Sequence, residues 1–184
     1  MTESHNARAV VTGAGSGIGR AFALELAKRG GEVVCADISL ARAEETVRLI
    51  AENGGTAHPV VCDVASREQV EDLALFAELT FGAAPTLVIN NAGVGIGGTP
   101  VGDIGFDNWN WALGINLWGD TAGSEIFTPG MRAAGKGGFI NVASAAGFAA
   151  APLMGPYNVG KAGVMSLSET MAAELSGTGI RVTV

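Results

Sequence analysis

"VVTGAGSGIGRA", Val10–Ala21, sets four alternating glycines between a β-branched apolar run and a helical pattern. A chain that leaves a strand and enters a helix through Gly13, Gly15, Gly17 and Gly19 lets backbone N–H groups approach a pyrophosphate at the positive end of that helix. A Cβ at these points would block the approach. The strict G-x-G-x-x-G pattern does not fit, because its last position falls on Ile18 or Arg20. The spacing that fits is T-G-x-x-x-G-x-G, on Thr12, Gly13, Gly17 and Gly19. A glycine-rich turn without a ligand is the structural alternative. The strand-to-helix context selects the phosphate cradle, with Gly13, Ser16, Gly17, Ile18 and Gly19 as candidate cofactor contacts.

Outward from this loop, short β-branched runs alternate with helical patterns. Strands are expected at Ala7–Thr12, Glu32–Asp37, Thr56–Val64, Thr86–Gly93, Gly138–Ser144 and Gly179–Val184. Pro59 marks the third as an edge strand or a strand start. Helices are expected between them, the second stopped by Asn53-Gly54-Gly55, the third opened by Ser66, and one long helix running from Asp107 to Ala134. The strands are near-continuous apolar runs. The expectation is one α/β domain over residues 1–184, a doubly wound (Rossmann) parallel sheet with helices on both faces.

Asp37 closes the second strand, 24 residues past Gly13. A carboxylate there accepts hydrogen bonds from the adenosine ribose and repels a 2′-phosphate. Neither Ser16 nor Ile38 is the Arg or Lys that would welcome that phosphate, so the cofactor expected is NAD(H), with Ile38 beside it. Alone, Asp37 reads equally as a solvated strand end.

Composition removes several classes of function. The 184 residues are 48% hydrophobic and 16% charged, which supplies a core and argues against disorder. A net charge of −7 without a basic cluster disfavours nucleic-acid binding. Cys35 and Cys62 lack the partners of a zinc site and read as buried thiols, so no metal is expected. The apolar stretch Gly137–Pro156 is interrupted by Asn141 and Ser144 and closed by prolines, which suits a buried strand and loop rather than a membrane span. The N-terminus carries no secretion pattern, so the expected location is the cytoplasm.

Tyr157 and Lys161 stand four residues apart in "PYNVGKAG", on one helix face. Taken alone, an ordinary surface pair is the better reading. A free phenol ionises near pH ~10, too high for a general base at neutrality, and a neighbouring ammonium favours the phenolate.

"TGAGSGIG" (Thr12–Gly19), "DV" (Asp63-Val64), "NNAG" (Asn90–Gly93), Asn116, Ser144 and "YNVGK" (Tyr157–Lys161) occur in order along the chain, and with them it resembles the classical short-chain dehydrogenases/reductases. The resemblance implies that Asp63 bonds the adenine amine with the Val64 backbone beside it. It implies that Asn90, Ala92 and Gly93 floor the nicotinamide-side ribose, although a structural turn after the fourth strand accounts for them too. Ser144, thirteen residues before Tyr157, takes the position of the family's catalytic serine, and Asn116 that of the helix asparagine completing the tetrad. In that reading Tyr157 is the acid/base, Lys161 assists it and holds the ribose, Ser144 polarises the substrate oxygen, and Asn116 holds a water that passes the proton to solvent.

The resemblance also implies a homodimer or homotetramer, a small-molecule alcohol or ketone as partner, and a continuation beyond Val184 with a Pro-Gly loop, a substrate-covering segment and a seventh edge strand. Without such a cover the site stays wet and turnover suffers. Asp120 and Thr121 depart from the apolar residues usual on the long helix, and a buried Asp120 needs a partner. Trp109 and Trp111 read as packing residues. Val94, Gly95, Ile96, Ala145, Ala146, Phe148, Leu153 and Met154 form the expected, mostly apolar, substrate surroundings. The competing function is a nucleotide-binding module without turnover.

Overall fold

Apolar β-branched runs that are hydrophobic on both faces can be buried only between two layers, and the six strands meet that condition together. The computed structural model describes residues 4–184. The strands are β1 (Arg8–Thr12), β2 (Glu32–Asp37), β3 (Thr56–Val61), β4 (Leu87–Asn90), β5 (Gly137–Asn141) and β6 (Ile180–Thr183). They form one sheet in the order β3-β2-β1-β4-β5-β6, and every neighbouring pair is parallel. Pro59 lies on β3, an edge strand, as its missing N–H requires.

The helices are α1 (Gly17–Lys28), α2 (Leu40–Glu52), α3 (Arg67–Phe81), α4 (Phe106–Leu113), α5 (Asp120–Ala134) and α6 (Gly155–Glu174). On one face of the sheet, Val11, Val33 and Ile89 pack with Ala23 and Leu26 of α1 and Ile50 of α2. On the other, Val10, Val34, Val88 and Phe139 pack with Leu73 of α3, Phe127 and Met131 of α5 and Met171 of α6. Local signals set the helix ends: Ser66 accepts from the Gln69 N–H at 3.3 Å, and Gly82 takes the left-handed conformation that ends α3. No helix among the described residues is long and apolar enough to cross a membrane. The stretch Gly137–Pro156 becomes β5, the loop after it and the start of α6.

The expected long helix over Asp107–Ala134 is present as unbroken helical chain from Phe106 to Ala134, with a widened turn in its middle that the sequence reading lacks. A π-helical turn over Gly114–Gly119 separates α4 from α5. It lies against β3's exit and α6, where a Cβ on Gly119 would stand 2.8 Å from Val64 Cγ2. A widened turn of this kind re-aims the residues inside it, and Asn116 is one of them.

Because β1 leads to β2 on one side while β4 continues on the other, the strand order reverses between β1 and β4. Ligand crevices in such sheets open at this point, beyond the carboxyl ends of the strands. Thr12, Asp37, Asn90 and Asn141 all end strands on that edge.

Candidate active site

The loop after β1 is built to bring backbone close to backbone. Gly13 has φ +65°, and a Cβ on Gly19 would stand 2.2 Å from the Gly13 carbonyl oxygen. No side chain fits there, so α1 begins directly against the turn, with Ser16, Gly17 and Ile18 exposed at its positive end. The Thr12 hydroxyl oxygen accepts from the N–H groups of Asn91 at 3.0 Å and Ala92 at 3.1 Å. These bonds tie the end of β1 to the loop after β4 and fix the width of the crevice.

Asp37 is buried, and its carboxylate is oriented by two backbone donors: Gly15 N–H at 2.9 Å and Ser39 N–H at 3.0 Å. It lines a cleft of about 490 Å³ together with Gly13, Ser16, Gly17, Ile18, Ile38, Asp63, Val64, Ala92 and Gly93. The residues expected to touch the pyrophosphate, the adenosine and the main chain after β4 therefore border one cavity, Gly19 apart. Asp63 is held in turn, its Oδ1 accepting from Ala65 N–H at 3.0 Å. The glycine cradle, the oriented Asp37 and this cleft fit a dinucleotide.

Gly19, Tyr157 and Lys161 do not line this cleft, and neither does Asn90. Its side chain turns away from the cleft, 2% exposed, and donates to Asn141 Oδ1 at 2.8 Å, Ser124 Oγ at 3.3 Å and the Asp120 carbonyl at 3.4 Å. Asn141 continues the chain to Ser168 Oγ at 3.0 Å, and Ser168 to the Val164 carbonyl at 2.7 Å. Paired across β4 and β5, Asn90 and Asn141 bolt the two strand ends to α5 and α6. It is Asn91 whose side chain reaches the cleft side, donating to the Thr12 carbonyl at 2.9 Å.

The four residues expected to do chemistry come from three separate stretches. Ser144 starts the turn after β5, its Oγ accepting from Ala146 N–H at 3.2 Å. Tyr157 is half-buried on the first turns of α6. Lys161, one turn on, is 4% exposed, and its Nζ donates to the Val142 carbonyl at 2.5 Å. Asn116 is fully buried; its amide donates to the Val94 carbonyl at 2.8 Å and its Oδ1 accepts from Val94 N–H at 2.9 Å. The Asn116 side chain is thus committed to holding the loop after β4. Gly160 permits the approach, since a Cβ there would stand 3.1 Å from Asn116 Cβ. Gly93 lies at the same meeting point, with Asn116 Oδ1 and Lys161 Nζ 3.1 and 3.7 Å from where its Cβ would be.

Ser144 lines a second cavity of about 440 Å³ with Val142, Phe148 and Ile18. Ile18 borders both cavities, which sets the two side by side at the carboxyl edge of the sheet. The expected substrate surroundings are less gathered: Val94 faces the first cleft, Phe148 the second, and Ile96 and Leu153 a separate hollow of about 280 Å³. Of the two tryptophans, Trp109 packs against Gly155 as expected. Trp111 does not; it is half-exposed and lines the cleft with Ile115. Arg42 was also unanticipated. It stands on the first turn of α2, exposed and bordering the cleft beside Asp37, a position readable only by placing that turn opposite the glycine loop. The cysteines are buried thiols, both pushed up to about 12 by burial.

The family described as short chain dehydrogenase matches residues 7–184. The chain is 38% identical over 174 residues to the probable oxidoreductase EphD of Mycobacterium tuberculosis, which covers 94% of this chain and 29% of that protein. It is 36% identical over 185 residues to the C alpha-dehydrogenase of Sphingobium sp., covering 100% of this chain and 60% of that protein. The crystal structure of a short chain dehydrogenase/reductase from Burkholderia phymatum in complex with NAD is similar with a TM-score of 0.95 and 37% identity, covering 100% of this chain and 66% of that one. Similar solved structures include complexes with NAD and with NADP. The chain spans 29% and 60% of the lengths of the two relatives. With the glycine cradle, the switch-point groove and the family match over nearly its whole length, the chain belongs to the short chain dehydrogenase family of oxidoreductases.

Proposed function

We propose that the protein is an NAD(H)-dependent oxidoreductase that interconverts a secondary alcohol and a ketone. One observation carries the reading. A buried ammonium, Lys161, stands one helical turn from a half-buried phenol, Tyr157, at the edge of the sheet that the dinucleotide cleft borders. A binding module has no use for a lysine held out of water beside a tyrosine, because that lysine costs desolvation without improving the phosphate cradle.

NAD⁺ supplies the hydride acceptor when bound, and NADH the donor. Gly13, Ser16, Gly17, Ile18 and Gly19 hold the pyrophosphate, Asp37 the adenosine ribose, and Asp63 with Val64 the adenine. The main chain of Ala92 and Gly93, with Lys161, holds the second ribose. Tyr157 takes the alcohol proton in oxidation and returns it in reduction. The Ser144 hydroxyl bonds the substrate oxygen and keeps it within reach of Tyr157. The Lys161 ammonium stabilises the phenolate, and a water on the main chain of Asn116 carries the proton outward. NAD is preferred over NADP because two backbone N–H groups fix the Asp37 carboxylate where a 2′-phosphate would fall, whereas Arg42 is exposed on a flexible stem. The apolar character of Val94, Phe148 and Leu153 suits an apolar substrate. Exposed Trp118, with Leu167 and Met171 lining a groove between α5 and α6, supports association with a second copy through those helices.

The test is a fluorescence titration with NADH, followed by a panel of secondary alcohols with NAD⁺. Binding together with turnover supports the reading. Tight NADH binding in a full-length protein that oxidises none of the panel supports a binding module instead.

A further inference from the structure

Asp120 is the buried acid that the reaction as described leaves unused. It opens α5 directly after the π-helical turn, one helical turn beyond Asn116, and is 2% exposed. Its Oδ2 has no hydrogen-bond partner among the described residues, and an orphaned carboxyl oxygen in a sealed pocket is costly. Its surroundings are uneven in charge. α6 packs on this face: Gly160 abuts Asn116, one turn before Asp120, and Lys161 Nζ lies with Asn116 Oδ1 beside Gly93. The charge that α6 brings toward Asp120 is therefore Lys161, the ammonium read above as the partner of Tyr157. The amide of Asn90, on β4, donates to the Asp120 main-chain carbonyl rather than to its carboxyl, and bonds onward to Asn141 of β5 and Ser124 of α5, all of them uncharged. The charged groups of α3 lie elsewhere along α5: Arg67 pairs at the surface with Glu125 and Glu71, and Glu78 reaches Gly130 near the far end.

We propose that Asp120 is a positioning residue that governs how much of the Lys161 charge reaches Tyr157, and so acts as a pH-sensitive brake on the centre. This rests on reading Tyr157 and Lys161 as the acid–base pair. As a neutral acid, Asp120 leaves the ammonium unopposed. When it gives its proton to solvent, the carboxylate competes with the Tyr157 phenolate for one ammonium. Two anions then share one cation, and each disfavours the other. Burial pushes Asp120 up to about 8, against the pull of Lys161, so the change of state falls just above neutrality. Asp120 and Lys161 are both buried, so water screens their coupling little.

Tyr157 is the one tyrosine in the sequence, so the near-ultraviolet phenolate absorbance of the intact chain reads that hydroxyl alone. Asp120→Asn keeps the shape and removes the charge; Asp120→Val is the second variant in case the amide packs badly. Both are expected to move the midpoint of the phenolate titration to lower pH, by about half a unit to one unit, with the fold checked by circular dichroism. In difference infrared spectra at neutral pH, the parent minus Asp120→Asn is expected to show a protonated carboxylic acid band. Midpoints unchanged in both variants, or no such band at neutral pH, overturn the inference. Failure here is distinct from failure of the proposed function. If Tyr157→Phe abolishes turnover while Asp120→Asn leaves the midpoint unmoved, only the Asp120 inference falls. If Tyr157→Phe keeps turnover, the reading beneath it falls.

Discussion

The glycine loop and the Tyr157–Lys161 centre lie at the same carboxyl edge of the sheet, yet they are made of different material. The loop is made of backbone. Its working parts, from Gly13 to Asp37, lie within one β1–α1–β2 unit, and its specificity comes from the absence of side chains plus one carboxylate oriented by backbone N–H groups. The centre is made of side chains drawn from the π-helical turn, the β5 exit and α6. It is carried on buried polar groups: Asn90, Asn116, Asp120, Asn141, Lys161 and Ser168 are all at most 4% exposed. A backbone site is robust to everything except an added Cβ. A side-chain site depends on every hydrogen bond behind it, because a buried polar group left unpaired costs about 1–3 kcal/mol.

The comparison breaks most visibly at Tyr157. Tyr157→Phe is expected to lower turnover by about 10²–10⁴-fold, the range for removing a general acid–base, while NADH binds at parental strength. Steady-state rates and a fluorescence titration on the same preparation check both halves. Loss of binding in step with turnover would mean that the two regions are not separable. Gly19→Ala attacks the other side. Its Cβ would stand 2.2 Å from the Gly13 carbonyl, and backbone on both sides cannot yield. NADH affinity is expected to fall by at least about tenfold and stability by about 1–3 kcal/mol, read by titration and by the denaturant midpoint.

Smaller effects sharpen the contrast. Asn90→Ala removes the donor to Asn141, Ser124 and the Asp120 carbonyl, and is expected to cost about 1–3 kcal/mol of stability. NADH affinity should change little, because the Asn90 side chain does not face the cleft. A variant as stable as the parent would show that the buried network does not brace the centre. For Asp120 the sign follows from linkage. Its folded-state value of about 8 lies above its ordinary 3.8, so the unfolded chain gives up the proton first as pH rises. The parent's stability contribution from this group is whole below pH ~4 and lost progressively toward pH ~8. Asp120→Asn is therefore expected to gain on the parent across that window by more than about 1 kcal/mol, measured as paired unfolding curves at several pH values. A constant difference would mean that Asp120 ionises as freely in the fold as outside it. The smallest effect is expected at Asp37. Asp37→Ala should erode the preference for NAD over NADP by about tenfold, equivalent to about 1.4 kcal/mol, read as the ratio of kcat/KM values with the two cofactors. An unchanged ratio would shift attention to Arg42.

The same division explains what could be read before the structure was seen. Alternating apolar runs and helical patterns give strand and helix identities because each depends on a few neighbouring residues. So does the glycine loop, whose Cβ-free approach is a local requirement. The Tyr157–Lys161 spacing is likewise local, since both ride one helix. The long helix over Asp107–Ala134 was misread in its middle because the π-helical turn is not a propensity of Gly114–Gly119. It is imposed where that turn meets Val64 and α6. Asn90 and Asn91 are neighbours of one type, and only the pleat of β4 decides which enters the core and which reaches the cleft.

The sequence by itself determined the alternating parallel architecture, the phosphate-approaching loop, the acid at the end of β2 and the phenol–ammonium pair one turn apart. Each is written in contacts between residues close along the chain. The tertiary structure alone decided that Asn116 spends its side chain on Val94, that Trp111 and Arg42 border the cleft, and that Asp120 is sealed within reach of the Lys161 charge. Those outcomes depend on which helices pack together and on how far water is excluded between them. Burial is a property of the whole assembly, and no short stretch of sequence carries it.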